Sequence, residues 1–506
     1  MHVLALPQVT IETTGVPLPE SDRRALAEVR VQQRLGLPAL CELTFSDPPG
    51  PLDGIPARLM PGIALRVLVG EQREPLFTGE VTAVEHVYGP ARGREVRVRG
   101  YDLLHRLRKR QSVRAHVQVT PAGLARELTA DLGLTVQAPE DGPMWKHVIQ
   151  GRQSDFDLLA EMAEACGLFL AVREDTLHLM TLAGTGEPEA LSLGETLLEA
   201  RCEVNGDPAC RTVKTSGWNP LRVEPHEGTA GSARSGREVA AEVLPADVGG
   251  SGERDLVNAT AADERHAEAQ AQAELDLRLA REVTFWGVAA GHPRLQPGTP
   301  VDVSGVAAAV AGRYVLTAVT HTIDARTGFL SEVATAPPEP RTRAAGTAAV
   351  LGVVTRVDDP DGLGRICVKL PAYSGVETDW MNVVIPAAGK DKGFMALPDV
   401  GDRVLVLCAH EDPGQGVVIG GLYGVDGWPD TGVDGAAVKR FTWLTPGGQR
   451  IRLDDARQAV RVENQGGSFV ELSPEKVKVH AAVDLEIEAP GHSVVIRGRK
   501  IDFQRQ

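Results

Sequence analysis

Residues 439–506 repeat one short pattern of apolar and charged positions. Two apolar residues with one residue between them form a pair, and such pairs recur about every eight residues. This alternation predicts strands of four or five residues that are apolar on one face and charged on the other. The pairs are Ile451/Leu453, Val460/Val462, Val470/Leu472, Val477/Val479, Leu485/Ile487, Val494/Ile496 and Ile501/Phe503.

Two apolar residues per short strand are too few for one chain to enclose a core of its own. The pattern therefore favours several copies that wind together around a shared axis, as in a repetitive β-structure. A flat meander and a single-chain β-helix are the alternatives, and the single-chain β-helix usually needs longer coils. The sequence thus predicts an intertwined β-helical needle at the C-terminal end of the chain.

Residues 350–424 alternate differently and predict a compact all-β unit. Five strand-like segments lie at 351–357, 365–370, 380–385, 403–408 and 417–422. Clusters of Asp, Gly and Pro at 358–362 and 398–402 separate them as turns. Five short strands in this length predict an OB-fold barrel.

Residues 1–335 mix strand patterns with a few helices. Strands are predicted at 67–69, 80–87 and 95–99, and a β-hairpin at 168–180. Thr120 and Ser154 are predicted N-caps, and Gly133 and Gly167 end the two helices that follow. A third helix is predicted at 262–281. Residues 224–254 are rich in Gly, Ser and Ala without periodicity, which predicts a mobile loop or an insertion.

The remaining boundaries follow from composition. Residues 336–349 carry the Pro, charged and small residues of a linker, and 425–438 form a second short connection. The predicted organisation is a mainly β chain with some α-helix: a hub of barrel-like domains at 1–335, the OB-fold at 350–424 and the needle at 439–506.

Charge argues against two classes of partner. The formal net charge is −15, which repels nucleic-acid phosphates and anionic membrane surfaces over most of the protein. The basic run at 106–114 reads either as a local contact patch or as a solvated face. Trp380 in the OB-fold is expected to pack in the barrel core rather than to stack on bases.

The six cysteines lack C-x-x-C spacing and mostly lie in apolar segments, which indicates buried reduced thiols. The N-terminal segment lacks the charged and apolar regions of a secretory signal, and no stretch approaches the length of a membrane span. We therefore expect synthesis and assembly in the cytoplasm.

Catalytic motifs are absent from the sequence. It contains no G-x-S-x-G, P-loop or H-E-x-x-H pattern, and 425–438 is too short to hold an inserted hydrolase domain. The cluster His410–Glu411–Asp412 reads as a cation site or as a solvated turn. His480 and His492 stand alone, and either would have to meet its copies on an axis to bind a metal. We predict no enzyme activity, cofactor or metal.

Several motifs resemble the valine-glycine-repeat (VgrG) and phage late-control family of hub-spike proteins. The resemblance runs through the chain in the family's order of hub, OB-fold and needle, and is closest to the spikes of extracellular phage-tail-like particles. In the hub the motifs are WKHVIQ at 145–150, SDFDLL at 154–159, GLF at 167–169, GHPRLQPG at 291–298, GRYVL at 312–316 and His321. In the OB-fold they are DGLGR at 361–365, Trp380, VGD at 400–402 and VIGGLY at 418–423.

The resemblance implies the central spike of a contractile injection machine. Such a spike is a homotrimer between a tube protein and baseplate proteins, touches the target membrane transiently and can carry effector cargo. A small tip protein with proline-alanine-alanine-arginine repeats would seat on Ile501 and Phe503. The residues predicted to line the trimer axis are Val477, Val479, Leu485, Ile487, Val494 and Ile496. A trimeric adhesin or fibre, and a spike with hydrolase activity, are the alternatives.

Overall fold

The computed structural model describes residues 6–47, 58–71, 73–89, 93–341, 346–424 and 427–504. The chain divides into two compact units, Met1–Leu422 and Tyr423–Gln506. The prediction of a mainly β protein with some α-helix is confirmed, because strands far outnumber helices in both units. None of the sheets in the described ranges closes on itself as a hydrogen-bonded cylinder.

The hub contains twenty-three of the described strands. They are β1 Val9–Thr13, β2 Val16–Pro17, β3 Leu26–Arg34, β4 Leu37–Ser46, β5 Ala64–Val69, β6 Glu74–Gly89, β7 Gly93–Tyr101, β8 Arg114–Val119, β9 Thr135–Gln137, β10 Trp145–Gln150, β11 Phe169–Arg173, β12 Thr176–Met180, β13 Glu189–Ser192, β14 Leu197–Val204, β15 Thr212–Asn219, β16 Glu224–Ala230, β17 Glu238–Val239, β18 Glu253–Thr260, β19 Val283–Ala290, β20 Pro300–Ser304, β21 Gly312–Val315, β22 Ala318–Asp324 and β23 Gly328–Ala334.

The helices described in the hub are fewer and shorter. They are α1 Glu20–Arg24, α2 His105–Arg108, α3 Pro121–Thr129, α4 Asp155–Glu164 and α5 Glu264–Glu282, with one 3-10 turn at Pro245–Val248.

One eleven-stranded sheet runs through the hub in the order β14-β19-β23-β22-β3-β4-β7-β6-β5-β1-β2. Its two halves each cover a separate apolar core, one built around Val31 and Phe45 and the other around Phe285 and Tyr314. The halves join where β3 pairs antiparallel with β22, in register from Arg34 opposite Ala318 onward. Buried and half-buried residues alternate along β19 and β22, which shows that one face of the sheet packs inward.

The N-cap predictions are confirmed. The Thr120 hydroxyl accepts a hydrogen bond from the Gly123 amide at 3.0 Å, and the Ser154 hydroxyl accepts one from the Asp157 amide at 3.2 Å. Each bond satisfies an amide that the first turn of a helix leaves free. Gly167 adopts a positive φ of 69° just beyond α4, where a glycine ends a helix at little steric cost.

The prediction of a loop at 224–254 is wrong. This stretch contains β16, β17 and the start of β18. β15 lies between β16 and β18 in a three-stranded sheet, antiparallel to β16 and parallel to β18. The sheet packs on α5, with Val213, Ala230, Ala271 and Leu275 buried between them. Burial by a helix, which the local composition does not reveal, stabilises these strands.

The OB unit is a five-stranded sheet in the order β26-β25-β24-β27-β28. Its strands are β24 Thr347–Arg356, β25 Cys367–Leu370, β26 Val376–Glu377, β27 Arg403–Ala409 and β28 Gly416–Gly421, with a 3-10 turn at Pro371–Tyr373. The strand predicted at 380–385 is reduced to isolated bridges at Met381 and Val383. Trp380 is only half-buried, with the Arg356 guanidinium 4.7 Å from its ring centre, so the prediction that it packs in the core is wrong.

The C-terminal unit contains a hairpin and a five-stranded antiparallel meander. The meander follows chain order from β31 to β35. The predicted strands around 451, 460, 470 and 477 are therefore present. Residues 485–487, 494–496 and 501–503 form no strand in the single chain. The elements are β29 Val433–Asp434, β30 Ala437–Val438, β31 Arg440–Leu444, β32 Arg450–Asp454, β33 Ala459–Glu463, β34 Phe469–Leu472 and β35 Val477–His480.

Candidate assembly surfaces

The C-terminal meander has one wholly apolar face. Directly opposed residues of antiparallel strands lie on the same face, and the register aligns ten apolar residues in two rows. One row is Phe441, Leu453, Val460, Leu472 and Val477, and the other is Trp443, Ile451, Val462, Val470 and Val479.

This apolar face is uncovered within the described part of the C-terminal unit. Val477 is 66% exposed and Val479 is 61% exposed. The other residues predicted for the shared axis, Leu485, Ile487, Val494 and Ile496, are exposed as well, and so are Ile501 and Phe503 at the predicted tip contact. Monomeric proteins rarely leave so many contiguous large apolar side chains in water. The face therefore has the exposed apolar character that is typical of an interaction surface.

The opposite face of the same meander carries charged side chains, several of which pair with one another around Arg461. The Arg461 guanidinium donates to Glu463 at 2.7 Å and to Glu471 at 3.0 Å. Phe469 lies beneath this network, with Arg461 3.8 Å from its ring centre. His480, one of the two histidines considered for an axial metal, packs on Phe469 at 5.0 Å between ring centres. This pairing leaves the charged face suited to contact with water.

The OB sheet presents a second apolar surface, which sequence reasoning missed. Its inner face forms the core, yet Leu351, Leu407 and Ile419 are 58%, 41% and 42% exposed. Leu351 and Leu405 are opposed across β24 and β27. A signal was present in the sequence, because residues 404–407 form a continuous apolar run. Such runs are typical of strands that are buried on both faces.

The OB unit is fixed to the hub by direct contacts. The Asn382 side-chain amide donates to the backbone carbonyls of Pro220 and Leu221, both at 2.9 Å. Ile149 and Leu221 pack into the apolar core of the OB unit. In the segment predicted as a linker, Arg341 donates to Glu164 at 2.9 Å and to Asp157 at 3.1 Å. These contacts therefore join the hub and the OB sheet into one body.

The basic run at 106–114 is engaged by carboxylates and an aromatic ring. Arg110 donates to both Asp131 oxygens, at 2.9 and 2.6 Å, and Arg106 pairs with Glu80. The Arg108 guanidinium lies 5.0 Å from the centre of the Phe156 ring. These contacts give the run a structural role within the hub.

Three further features concern metal-ligating side chains, membrane-spanning helices and the cysteines. Wherever the structure describes side chains, no group of three or more His, Cys, Asp or Glu is placed to hold a metal ion. The described helices are all too short or too polar to cross a membrane. None of the six cysteines forms a disulfide, and five of them are buried.

Sequence families account for most of the chain. Residues 350–423 match the Type VI secretion system/phage-baseplate injector OB domain. Residues 21–325, more than half of the chain, match the Alg8 N-terminal domain. A search of curated proteins gives no match.

Solved structures with the same fold include injection-system spikes. One is the E. coli c3393 protein, a type VI secretion component described as similar to T4 bacteriophage tail proteins gp27 and gp5. It has a TM-score of 0.53 at 12% identity and covers 81% of this chain and 99% of its own. Another is the lidded Francisella PdpA–VgrG complex, with a TM-score of 0.56 at 9% identity, covering 95% of this chain and 81% of its own. At these identities the likeness shows a shared fold.

The match to the injector OB domain confirms the predicted OB-fold. The similar solved structures confirm the hub-spike fold over nearly the whole chain. The extent of the hub match shows that the chain belongs to the family of the Alg8 N-terminal domain, with the fold of VgrG-type hub-spike proteins.

Proposed function

We propose that this protein is the trimeric central spike of a contractile injection machine and that it acts mechanically rather than as an enzyme. The observation that carries the proposal is the ten-residue apolar face of the C-terminal meander. Copies that share this face around an axis would bury it and leave the charged face in water. Three copies fit the closed rotational symmetry of most soluble oligomers.

The proposal assigns a role to each part of the chain. The hub would join a tube protein and the surrounding baseplate, and the OB unit would collar the needle. The needle would cross the target membrane when the machine contracts. Ile501 and Phe503, which are 50% and 88% exposed, would seat a small tip protein. Assembly would take place in the cytoplasm, and effector cargo would travel with the spike.

Light scattering on the purified full-length protein tests the proposal. We expect a single species of three times 53.9 kDa. A variant that lacks residues 439–506 is expected to associate more weakly, because it lacks the apolar face. A well-folded full-length monomer would refute the proposal. The non-enzymatic role is tested by assaying the same preparation on peptidoglycan, peptides and phosphoesters, where turnover that a point mutation abolishes would overturn it.

A further inference from the structure

A cleft of 330 Å³ lies where the hub meets the OB unit. Strand β10 and helices α4 and α5 supply its hub side, and the turn between β27 and β28 supplies much of its OB side. The apolar parts of its wall include Trp145, Leu158, Met162 and Tyr373. Neither the spike proposal nor the needle uses this cleft.

A buried histidine from α5 lines the cleft with an unsatisfied nitrogen. His266 is 3% exposed, and its Nδ1 lies 2.8 Å from the Asp263 carboxylate. Hydrogen bonds to His266 lower the pKa of Asp263 although burial opposes them, so this carboxylate is an acceptor and Nδ1–H is the donor. Nε2, across the ring from Nδ1, has no hydrogen-bond partner within the described structure. In the neutral ring it is therefore a free acceptor.

A second histidine in the wall has the same property. Burial lowers the pKa of His147, so the ring is neutral near pH 7. A neutral imidazole carries its one proton on one of its two nitrogens. The Nδ1 nitrogen has no hydrogen-bond partner in the part of the chain that the structure describes.

The charged groups of the cleft also favour a cation. Three carboxylates line it, Glu161 on α4 and Glu411 and Asp412 on the OB turn, against a single basic side chain, Arg152. His410 also faces the cleft. Burial raises the pKa of Asp412, whose carboxylate accepts a hydrogen bond from the Gly414 amide at 2.8 Å. A cation bound beside it would favour the charged form of this carboxylate.

The aromatic side chains of the cleft favour a guanidinium over an ammonium. The Trp145 ring stands at 88° to the His266 ring, with 4.5 Å between their centres, and Tyr373 lines the cleft from the OB unit. A guanidinium stacks on aromatic faces and offers five donors in a planar fork, which suits acceptors on several walls. An ammonium offers three donors from a single point.

We propose that this cleft binds a guanidinium group on an apolar stem, with His266 Nε2 and Glu411 among its acceptors. Two sources carry that chemistry: an arginine side chain of a protein partner and a free alkylguanidine. Guanidinium binding at this cleft does not depend on trimer formation. Failure of this proposal would therefore leave the spike proposal standing, and the reverse also holds.

Calorimetric titration of the full-length protein with n-butylguanidinium tests the site. The uncharged isostere n-butylurea is the ligand control. We expect n-butylguanidinium to bind at least about tenfold more tightly, because hydrogen bonds from a charged donor are stronger than those from a neutral donor. A blocked Gly-Arg-Gly peptide distinguishes the sources. Binding of this peptide assigns the site to a protein arginine, and binding of n-butylguanidinium alone assigns it to a small molecule.

Two variants locate the binding. His266→Phe keeps an aromatic ring beside Trp145 but removes the acceptor, and it should weaken binding at least about tenfold. Its matched control is His226→Phe, which alters another histidine with an unsatisfied Nε2 outside the cleft. Glu411→Gln, on an exposed turn, tests the site if His266→Phe fails to fold, and Glu195→Gln is its control. Absence of binding at millimolar n-butylguanidinium, or binding unchanged in Glu411→Gln, would overturn the proposal.

Discussion

Arg365 and Asp359 form a buried ion pair at the start of the OB sheet. The guanidinium donates to both carboxylate oxygens, at 2.9 and 2.6 Å, and the two side chains are only 6% and 3% exposed. Asp359 also accepts hydrogen bonds from the backbone amides of Asp361 and Leu363. The pair thus closes the turn between β24 and β25 with both charges largely removed from water.

Asp359→Asn should lower the free energy of unfolding by about 2 kcal/mol, because it weakens the two hydrogen bonds to the Arg365 guanidinium and leaves the more exposed Asp361 carboxylate, 2.7 Å away, as its charged partner. Urea unfolding of the OB unit, followed by loss of near-UV circular dichroism, measures the change. Asp358→Asn is the control, since Asp358 makes an exposed pair with Arg356 and should change stability little. Equal effects of the two substitutions would contradict this account of the turn.

His321 should make the hub sensitive to mild acid. It is fully buried in β22, where Nδ1 lies 2.8 Å from the Ser331 hydroxyl and Nε2 3.1 Å from the Leu295 carbonyl, and burial lowers its pKa to about 4. In the unfolded chain the His321 imidazole has a pKa near 6.5, so it binds a proton more readily than in the folded protein. Stability is therefore full above about pH 6.5 and falls towards pH 4, with a loss of about 2 kcal/mol at pH 5.

Urea unfolding at pH 7 and pH 5 measures this loss. His321→Gln, which can still donate and accept but does not titrate in this range, should remove most of the difference. A difference that persists unchanged in His321→Gln would assign the acid sensitivity to other groups.

Val477→Asp combined with Val479→Asp should reduce the oligomer to a smaller species. These substitutions place carboxylates on the apolar face, where burial of an unpaired charge is costly. Lys478→Asp is the matched control, because residue 478 lies between them on the charged face. Light scattering should show a normal mass for the control. A normal mass for the double variant would remove this face from the interface.

Val223→Gly should stabilise the protein by about 1 kcal/mol. Val223 is β-branched but has φ of 57°, in the left-handed region that strains such residues. The turn is held by its own bonds, since the Val223 amide donates to the Asn219 carbonyl at 2.7 Å. The side chain is 64% exposed, so little packing is lost. Thermal unfolding measures the change, and Val223→Ala, which keeps a Cβ, should gain less.

Local signals predicted much of the fold. The caps at Thr120 and Ser154 were predictable because their bonds reach only three residues ahead. The strands at 451–479 were predictable from alternation. The strands at 224–260 were not, since β16 and β18 are polar edge strands of their sheet and β16 is stabilised by packing on α5.

The candidate site illustrates the same limit. His147 and His266 are far apart in sequence, and the sequence gives no sign that both line one cleft. Only docking of the OB turn at 410–415 against β10 and α5 completes the cleft. Eight of the ten residues on the apolar face of the meander belong to the predicted pairs, because each of those strands contributes the same pair. Phe441 and Trp443 of β31 lie outside the predicted pairs and join the face through the strand register.

The pairing of β3 with β22 is delayed during biosynthesis, because β22 is synthesised long after β3. Val29 and Ile323 are partners, so about 290 residues must leave the ribosome before β3 gains its second neighbour. At roughly 5–20 residues per second, this takes about 15–60 s. During that time β3 is an open edge to which a nascent chain nearby can attach. Its outward-facing Glu28, Arg30 and Arg34 discourage such wrong pairing until the correct strand emerges.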